Sequence, residues 1–433
     1  MEPLTIAGLG LAAMFLLILL HVPLGVAMGA TGVVGFALMA DWAPAFSLIA
    51  SETANAFTSM DLATIPLFIL MGGLAGVAGL SDDLYRMAQA LVGHRRGGLS
   101  VATVSGCAAF GAVCGSSIAT TATFGRVALP SMIKRGYSPG FATGTIAAGG
   151  TLGVLVPPSV IMVIYAVLAE QLIVTLYIAA IVPALLALAL HFVAIGVATR
   201  LRPGIAPAGA PMPWPERMRE ARHAGPVLSM IGIVLGGISF GVFTATEGAA
   251  VGATLAFGFA LWRRKLTRVS LSAALEETAS TTAMIYLIII GASLFGYFVT
   301  LSQAPQAMVE AITGSGWPVP VLMALLMGMF ILLGAVFDEL AAMVITMPFV
   351  LPLVLSWGFD PVWWGVINVV IIEIGLITPP LGMNVFVIHG MAPQVPLSQT
   401  YAGVTPFIAS SLLRLALLLV FPTLALWLPA LLL

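Results

Sequence analysis

The chain has 433 residues, of which 60% are hydrophobic and 8% charged, and its net charge is −1. A soluble domain carries roughly 25% charged residues, so this chain cannot cover a water-facing surface, and its main solvent is the lipid bilayer. The near-zero charge gives no case for nucleic acid. Cys107 and Cys114 are too few for a disulfide framework or a zinc site and read as buried small residues.

A membrane span needs about 20 apolar residues. The run 4–20 follows Met1-Glu2-Pro3 without the basic segment and cleavage site of a secretory signal, so it reads as a retained span. Runs 22–40 and 62–80 come next. The stretch 99–131 is too long for one crossing and is interrupted at Gly115-Ser116-Ser117. It reads as a hairpin that enters and leaves the membrane on one side. Runs 140–168 and 172–198 complete the first half. Residues 203–224, rich in proline and then in charge, read as a cytoplasmic linker and not as a separate domain. The second half holds runs 225–243, 246–262 and 279–300, a second hairpin at 318–353 interrupted from Gly334 to Glu339, and runs 362–392 and 404–431. The expected fold is an all-α integral membrane protein of about ten spans, two re-entrant hairpins and two broken helices.

Sixteen basic residues test this layout. Arg86, Arg95 and Arg96 precede the first hairpin, and Lys134 and Arg135 follow it. Arg200, Arg202, Arg217, Arg219 and Arg222 fill one loop, and Arg263, Arg264, Lys265 and Arg268 another. All of these fall on one face of the proposed topology, which the positive-inside rule makes cytoplasmic. Both termini are then outside, and the two hairpins open from opposite faces. Arg126 reads either as a cation snorkelling to the headgroups or as a contact to an anionic substrate. Arg414, near the inner end of the last run, reads as a snorkelling cation.

The halves share a register. Pro130 and Pro352, Gly136-Tyr137-Ser138-Pro139 and Gly358-Phe359-Asp360-Pro361, Gly153 and Gly375, and Pro157-Pro158 and Pro379-Pro380 match at one offset. Residues 1–202 and 225–433 therefore read as two repeats, inverted by the topology, an arrangement suited to alternating access.

Four segments break at membrane depth: the two hairpin tips and the two Pro-Pro runs. A proline removes an amide donor and frees a carbonyl one turn back. Unwound backbone is tolerated in a bilayer only where it lines a cavity or binds something. Freed carbonyls suit Na⁺, and half-helix N-termini suit a carboxylate. The polar groups at the breaks are Ser116, Ser117, Thr120, Thr121 and Thr123 at the first tip, Asp338 and Glu339 at the second, and Thr151, Glu373 and Asn384 beside the prolines. The Ser/Thr cluster fits capping and ion binding equally. Asp338 is either a helix N-cap or a functional intramembrane acid. Glu339 would face an external vestibule, Glu373 would be a protonated acid on the broken backbone or an ion ligand, and Asn384 a ligand one turn after the prolines. No nucleophile–base set stands out. His94, His223 and His389 lack metal-ligand spacing, and His21 and His191 sit alone in apolar runs, so no enzyme and no cofactor are expected.

At these residues the chain resembles the large membrane subunit of a TRAP (tripartite ATP-independent periplasmic) transporter. Gly115-Ser-Ser-Ile-Ala-Thr-Thr-Ala-Thr-Phe-Gly-Arg-Val-Ala-Leu-Pro-Ser-Met, then Lys-Arg-Gly-Tyr137, resembles that family's first hairpin. Gly144-Thr-Ile-Ala-Ala-Gly-Gly-Thr-Leu-Gly-Val-Leu-Val-Pro-Pro158 resembles its first broken helix, and Glu373-Ile-Gly-Leu-Ile-Thr-Pro-Pro-Leu-Gly-Met-Asn384 the second. The resemblance implies an elevator-type transporter of the bacterial inner membrane, coupled to Na⁺ and carrying an organic acid, of the C4-dicarboxylate, sialic-acid or a related class. It implies two partners, a small four-helix membrane subunit on a separate chain and a periplasmic substrate-binding protein. It carries Na⁺ binding over to Ser116, Ser117, Gly150, Thr151, Pro157, Asp338, Thr378, Gly382 and Asn384. Substrate contact would fall on Thr120, Thr121, Arg126, Pro158, Glu339 and Pro380. At the second tip, members often follow the acid with proline or a small residue, whereas this chain has Asp338-Glu339-Leu340. The alternative reading is a Na⁺/carboxylate symporter of the same superfamily that needs no binding protein. In either case spans 4–20, 22–40, 225–243 and 246–262 would stay fixed while the hairpins move.

Overall fold

The computed structural model describes residues 2–432, and its regular structure is entirely helical across twenty-one helices. The first half contains α1 (Pro3–Leu19), α2 (Leu24–Met39), α3 (Trp42–Thr58), α4 (Thr64–Ala78), α5 (Leu80–Val92), α6 (Gly98–Cys114), α7 (Ser117–Lys134), α8 (Pro139–Leu155), α9 (Val160–Leu168) and α10 (Ile173–Leu201). The linker carries α11 (Trp214–His223). The second half contains α12 (Gly225–Ser239), α13 (Ala245–Trp262), α14 (Arg268–Leu301), α15 (Ala304–Thr313), α16 (Val319–Val336), α17 (Glu339–Ser356), α18 (Pro361–Gly375), α19 (Met383–Met391), α20 (Leu397–Val420) and α21 (Thr423–Leu432). Five single helices and three bent pairs are long and apolar enough to cross a bilayer.

Four of these helices, α3, α5, α11 and α15, lie outside the expected spans because their polar faces hide them from a search for apolar runs. The α3 helix starts where the Asp41 side chain accepts from Trp42 N at 2.7 Å. The α5 helix leaves α4 at a 65° bend on Gly79, whose φ of +73° suits glycine. The α14 helix begins at Arg268 and not at 279, because Thr267 and Ser270 form a capping box there. The run 404–431 is two helices: Phe421 precedes Pro422, leaves helical geometry (φ −124°, ψ 76°) and separates α20 from α21.

The first hairpin closes on itself. Leu99 N at its start donates to the Tyr137 hydroxyl at its end, 3.0 Å away. Both arms lie on α8, and Gly111 meets Gly153 backbone to backbone. In the second hairpin α15, which precedes it, packs on α17, and Gly334 meets Gly375 of α18. Ser117 and Glu339, the first residues of α7 and α17, stand 222 residues apart, as do Pro139 and Pro361, which open α8 and α18.

The basic loops gather at one end. The linker backbone accepts at Ile205 O from Ser138 N and at Ala206 O from Gly97 N, so it is docked across both ends of the first hairpin. Arg263, at the end of α13, pairs with Asp83 of α5 and donates to Ala78 O and His223 O, each at 3.2 Å.

Two packed groups result. In one, α2 lies on α14 and α4 on α13. In the other, the first hairpin, α18, α19 and α20 surround α8. The α2–α14 contact is tightest at glycines: a Cβ on Gly32 would stand 2.6 Å from the Leu294 carbonyl carbon, and one on Gly25 would meet Leu287 O. Membrane helices associate by such close packing of small residues. Gly32→Leu should lower stability by at least about 1–3 kcal/mol through overpacking, while Gly8→Ala, which has open space around it, should be neutral. Melting of the two purified variants in detergent checks this.

Candidate functional site

The first break is buried and short of donors. After α8, Val156 is extended and the cis-linked Pro157-Pro158 leads into α9. Neither proline has an N–H to give the carbonyls of Gly153 and Val154, and among the described residues no other backbone amide replaces it. The first hairpin tip rests on this segment. Gly115 (φ +65°) turns the chain, and Ser116 caps α7 by accepting from Ala119 N at 3.4 Å. A Cβ on Gly153 would lie 2.7 Å from both Ser116 O and Thr120 Oγ1, and one on Gly150 would lie 2.9 Å from Thr121 Cβ. These positions are glycine because the tip touches the helix backbone there. Thr120 and Thr121 are buried here with unpartnered hydroxyls, as is Ser159. Ser116, Thr120, Thr121, Gly150, Pro157 and Pro158 thus meet where two carbonyls lack amide donors and the hydroxyls are unpartnered, oxygens that suit a small hard cation, while Ser117 and Thr151 turn their hydroxyls to the second half.

The second break is built differently. The Gly375 and Leu376 carbonyls are taken by Thr378 N (2.9 Å) and Asn384 N (3.1 Å), and Gly382 N donates to Ala335 O of the second hairpin at 3.0 Å. The Tyr401 hydroxyl donates to Pro380 O at 3.0 Å, and Pro379, Pro380 and Leu381 are exposed. Asp338 is the N-cap of α17, accepting from Ala341 N at 2.8 Å. Asn384 turns away to the first half, donating to Ala147 O at 3.2 Å and leaving its buried Oδ1 without a partner.

Residues at equivalent positions of the two halves meet in pairs. Ser117 donates to Glu339 Oε2 at 2.8 Å, and Thr151 to Glu373 Oε1 at 2.8 Å. The other Glu373 oxygen accepts from Arg414 Nη2 at 2.7 Å. Two sequence expectations are corrected here. Arg414 does not snorkel: it is 0% exposed, because a buried carboxylate of opposite charge lies within reach. Glu373 bonds to two side chains and not to the broken backbone. The sequence holds an acid and a base in separate apolar runs, and only the packing of α20 on α18 pairs them. His191 is not alone either, since its Nδ1 lies 3.0 Å from Ser410 Oγ, one turn before Arg414.

A cavity of about 730 Å³ separates the two packed groups. The hairpins give it Ser116, Thr123, Arg126, Asp338 and Glu339; α4 gives Gly72, Gly73 and Gly76, and α14 gives Glu277 and Thr281. Of the expected substrate residues, Arg126 and Glu339 line it. Thr120, Thr121 and Pro158 are buried against the α8–α9 segment, and Pro380 lies outside it. Sequence reading missed Glu277, Thr281 and the α4 glycines, because no motif marks them and only tertiary packing brings them to the tips.

The family profile described as "Tripartite ATP-independent periplasmic transporter, DctM component" matches residues 11–424. The chain is similar to the C4-dicarboxylate TRAP transporter large permease protein DctM of Pseudomonas aeruginosa, with 36% identity over 380 residues covering 87% of each chain. It is also similar to the ectoine TRAP transporter large permease protein TeaC of Halomonas elongata, with 30% identity over 96% of this chain and 97% of that one. Among solved structures, the Alcanivorax borkumensis YdaH transporter shares the fold, with a TM-score of 0.60 and 16% identity over 90% of both chains.

The ion pair makes its own prediction. Arg414→Met leaves Glu373 buried and uncompensated and should cost about 3–5 kcal/mol. The double variant Arg414→Met, Glu373→Leu should recover much of that loss. A double-mutant cycle on melting in detergent measures both, and equal losses in the single and double variants would show that the pair is not the source.

Proposed function

The chain belongs to the DctM family of tripartite ATP-independent periplasmic transporters, as a multi-pass large membrane permease that works within a tripartite system, and from that premise we propose that it imports an organic acid across the bacterial inner membrane in symport with Na⁺. The observation that carries this reading is the cavity between the hairpin tips and the α4–α14 wall. The N-termini of α7 and α17 both end at that cavity, and Arg126 lines it. Helix N-termini and a guanidinium together suit a carboxylate. The donor-poor first break beside it suits Na⁺. The two relatives are named for different cargoes, C4-dicarboxylate and ectoine, so membership alone selects neither.

The mechanism is an elevator acting on inverted repeats. Na⁺ orders the first tip against α8, the carboxylate docks at the tips, and the hairpins move with α8, α9, α18, α19 and α20. The helices α1, α2, α12 and α13 stay fixed, with α4 and α14 as the wall past which the hairpins slide. Both termini are periplasmic. A small four-helix subunit on a separate chain borders the fixed group, and a periplasmic binding protein delivers the cargo.

Two measurements test this. Uptake into liposomes holding the chain with its small subunit should require both a Na⁺ gradient and the cognate binding protein. Uptake that needs Na⁺ alone would favour a symporter without a binding protein, and uptake indifferent to Na⁺ would remove the coupling. Cys114 at the first tip and Thr281→Cys on α14 place thiols across the cavity. Joining them with a bifunctional thiol reagent should abolish uptake, and Cys114→Ser should protect it. Full transport in the crosslinked protein would rule out movement of the hairpins past α14.

A further inference from the structure

We propose that the Thr151–Glu373–Arg414 bridge is a positioning device that makes cation binding at one broken helix depend on the state of the other. The inference rests on the Na⁺-coupled reading above and adds to it a route by which the two halves communicate.

Thr151 stands between the two α8 glycines on which the first tip rests, Gly150 against Thr121 and Gly153 against Ser116 and Thr120. Any cation that draws those oxygens together acts on the backbone at both flanks of Thr151. On the other side of the bridge, Glu373 precedes Gly375 by two residues, and Gly375 is the contact point for Gly334 of the second hairpin. The next residue of that hairpin, Ala335, accepts from Gly382 at the second break. A hydrogen bond of 2.8 Å therefore joins the helix backbone under one tip to that under the other, beside the tip-to-tip bond of Ser117 to Glu339 and the bond of Asn384 to Ala147 O.

The bond is buried: Thr151 and Glu373 are 1% exposed and Arg414 is 0% exposed. Arg414 occupies one carboxylate oxygen at 2.7 Å and leaves the other for Thr151, which fixes the carboxylate plane. Thr151 has one hydroxyl proton and two acceptors in reach, Glu373 Oε1 at 2.8 Å and Ala148 O of its own helix at 2.9 Å. The proton can pass from one acceptor to the other without unwinding α8, so the bridge can open and close while the helix stays intact. The two breaks also differ in state, the first buried and poor in donors, the second exposed and bonded to its own amides.

The test uses the chain with its small subunit in proteoliposomes, supplied with the binding protein, and reads initial uptake against Na⁺ concentration. Thr151→Val keeps the shape and removes only the hydroxyl. Wild-type uptake should rise with a Hill coefficient above one. In Thr151→Val the coefficient should fall to about one and half-saturating Na⁺ should rise about fivefold or more, the lower end of usual coupling between sites. Thr151→Ser, which keeps the hydroxyl, should restore the wild-type curve. A merely structural role would lower the maximal rate and leave the shape of the curve unchanged. If the valine variant does not assemble, Thr151→Ala carries the same expectation. An unchanged Hill coefficient in the variant overturns the proposal, as does a wild-type coefficient of one with Na⁺ dependence intact, which spares the Na⁺ reading. Uptake independent of Na⁺ overturns both.

Discussion

A backbone carbonyl in a bilayer must have a partner, and the organisation of this protein follows from that constraint. Pro157-Pro158 and Pro379-Pro380 each remove amide donors from a helix at membrane depth. Such a break survives only if something else supplies contacts. Here each break has a hairpin tip laid against it, and each tip can approach only because the helix before the break carries glycine at the contact, Gly153 against Ser116 and Gly375 against Gly334. Prolines, glycines and hairpins are therefore one structural unit, present once in each half.

The two units differ. The first leaves carbonyls and three buried hydroxyls without donors, and the second satisfies its carbonyls with its own amides and with Tyr401. Where the halves touch, Ser117 faces Glu339 and Thr151 faces Glu373, a hydroxyl against a carboxylate each time. A hydroxyl–carboxylate pair forms a hydrogen bond, whereas two carboxylates there would repel in a low dielectric. The extra buried charge on Glu373 is matched by Arg414 from α20.

Much of this was legible in the sequence because it is encoded locally. The hairpins, the broken helices, the shared register and the one-sided basic loops follow from composition and spacing, and the structure brings the basic loops together through Arg263 and the docked linker. Short amphipathic helices such as α5 and α15 were not legible, since their polar faces interrupt the apolar runs on which the reading relies. The Arg414–Glu373 pair and the cavity wall at Glu277 were missed for another reason. They depend on which distant helices pack together, and a single chain carries no local signal for that. Thr120 and Thr121 show the limit within a motif, since the spacing puts them at the tip and only packing shows that they face α8 and not the cavity.

The central claim is that the first break is a cation site made of oxygens without donors. The most direct measurement is melting of the purified chain with its small subunit in detergent, titrated with Na⁺ and with K⁺, for the wild type and for Thr121→Val. The account predicts stabilisation by Na⁺ and not by K⁺, largely lost when the Thr121 hydroxyl is removed. Equal stabilisation of both proteins by Na⁺, or none in either, would contradict it.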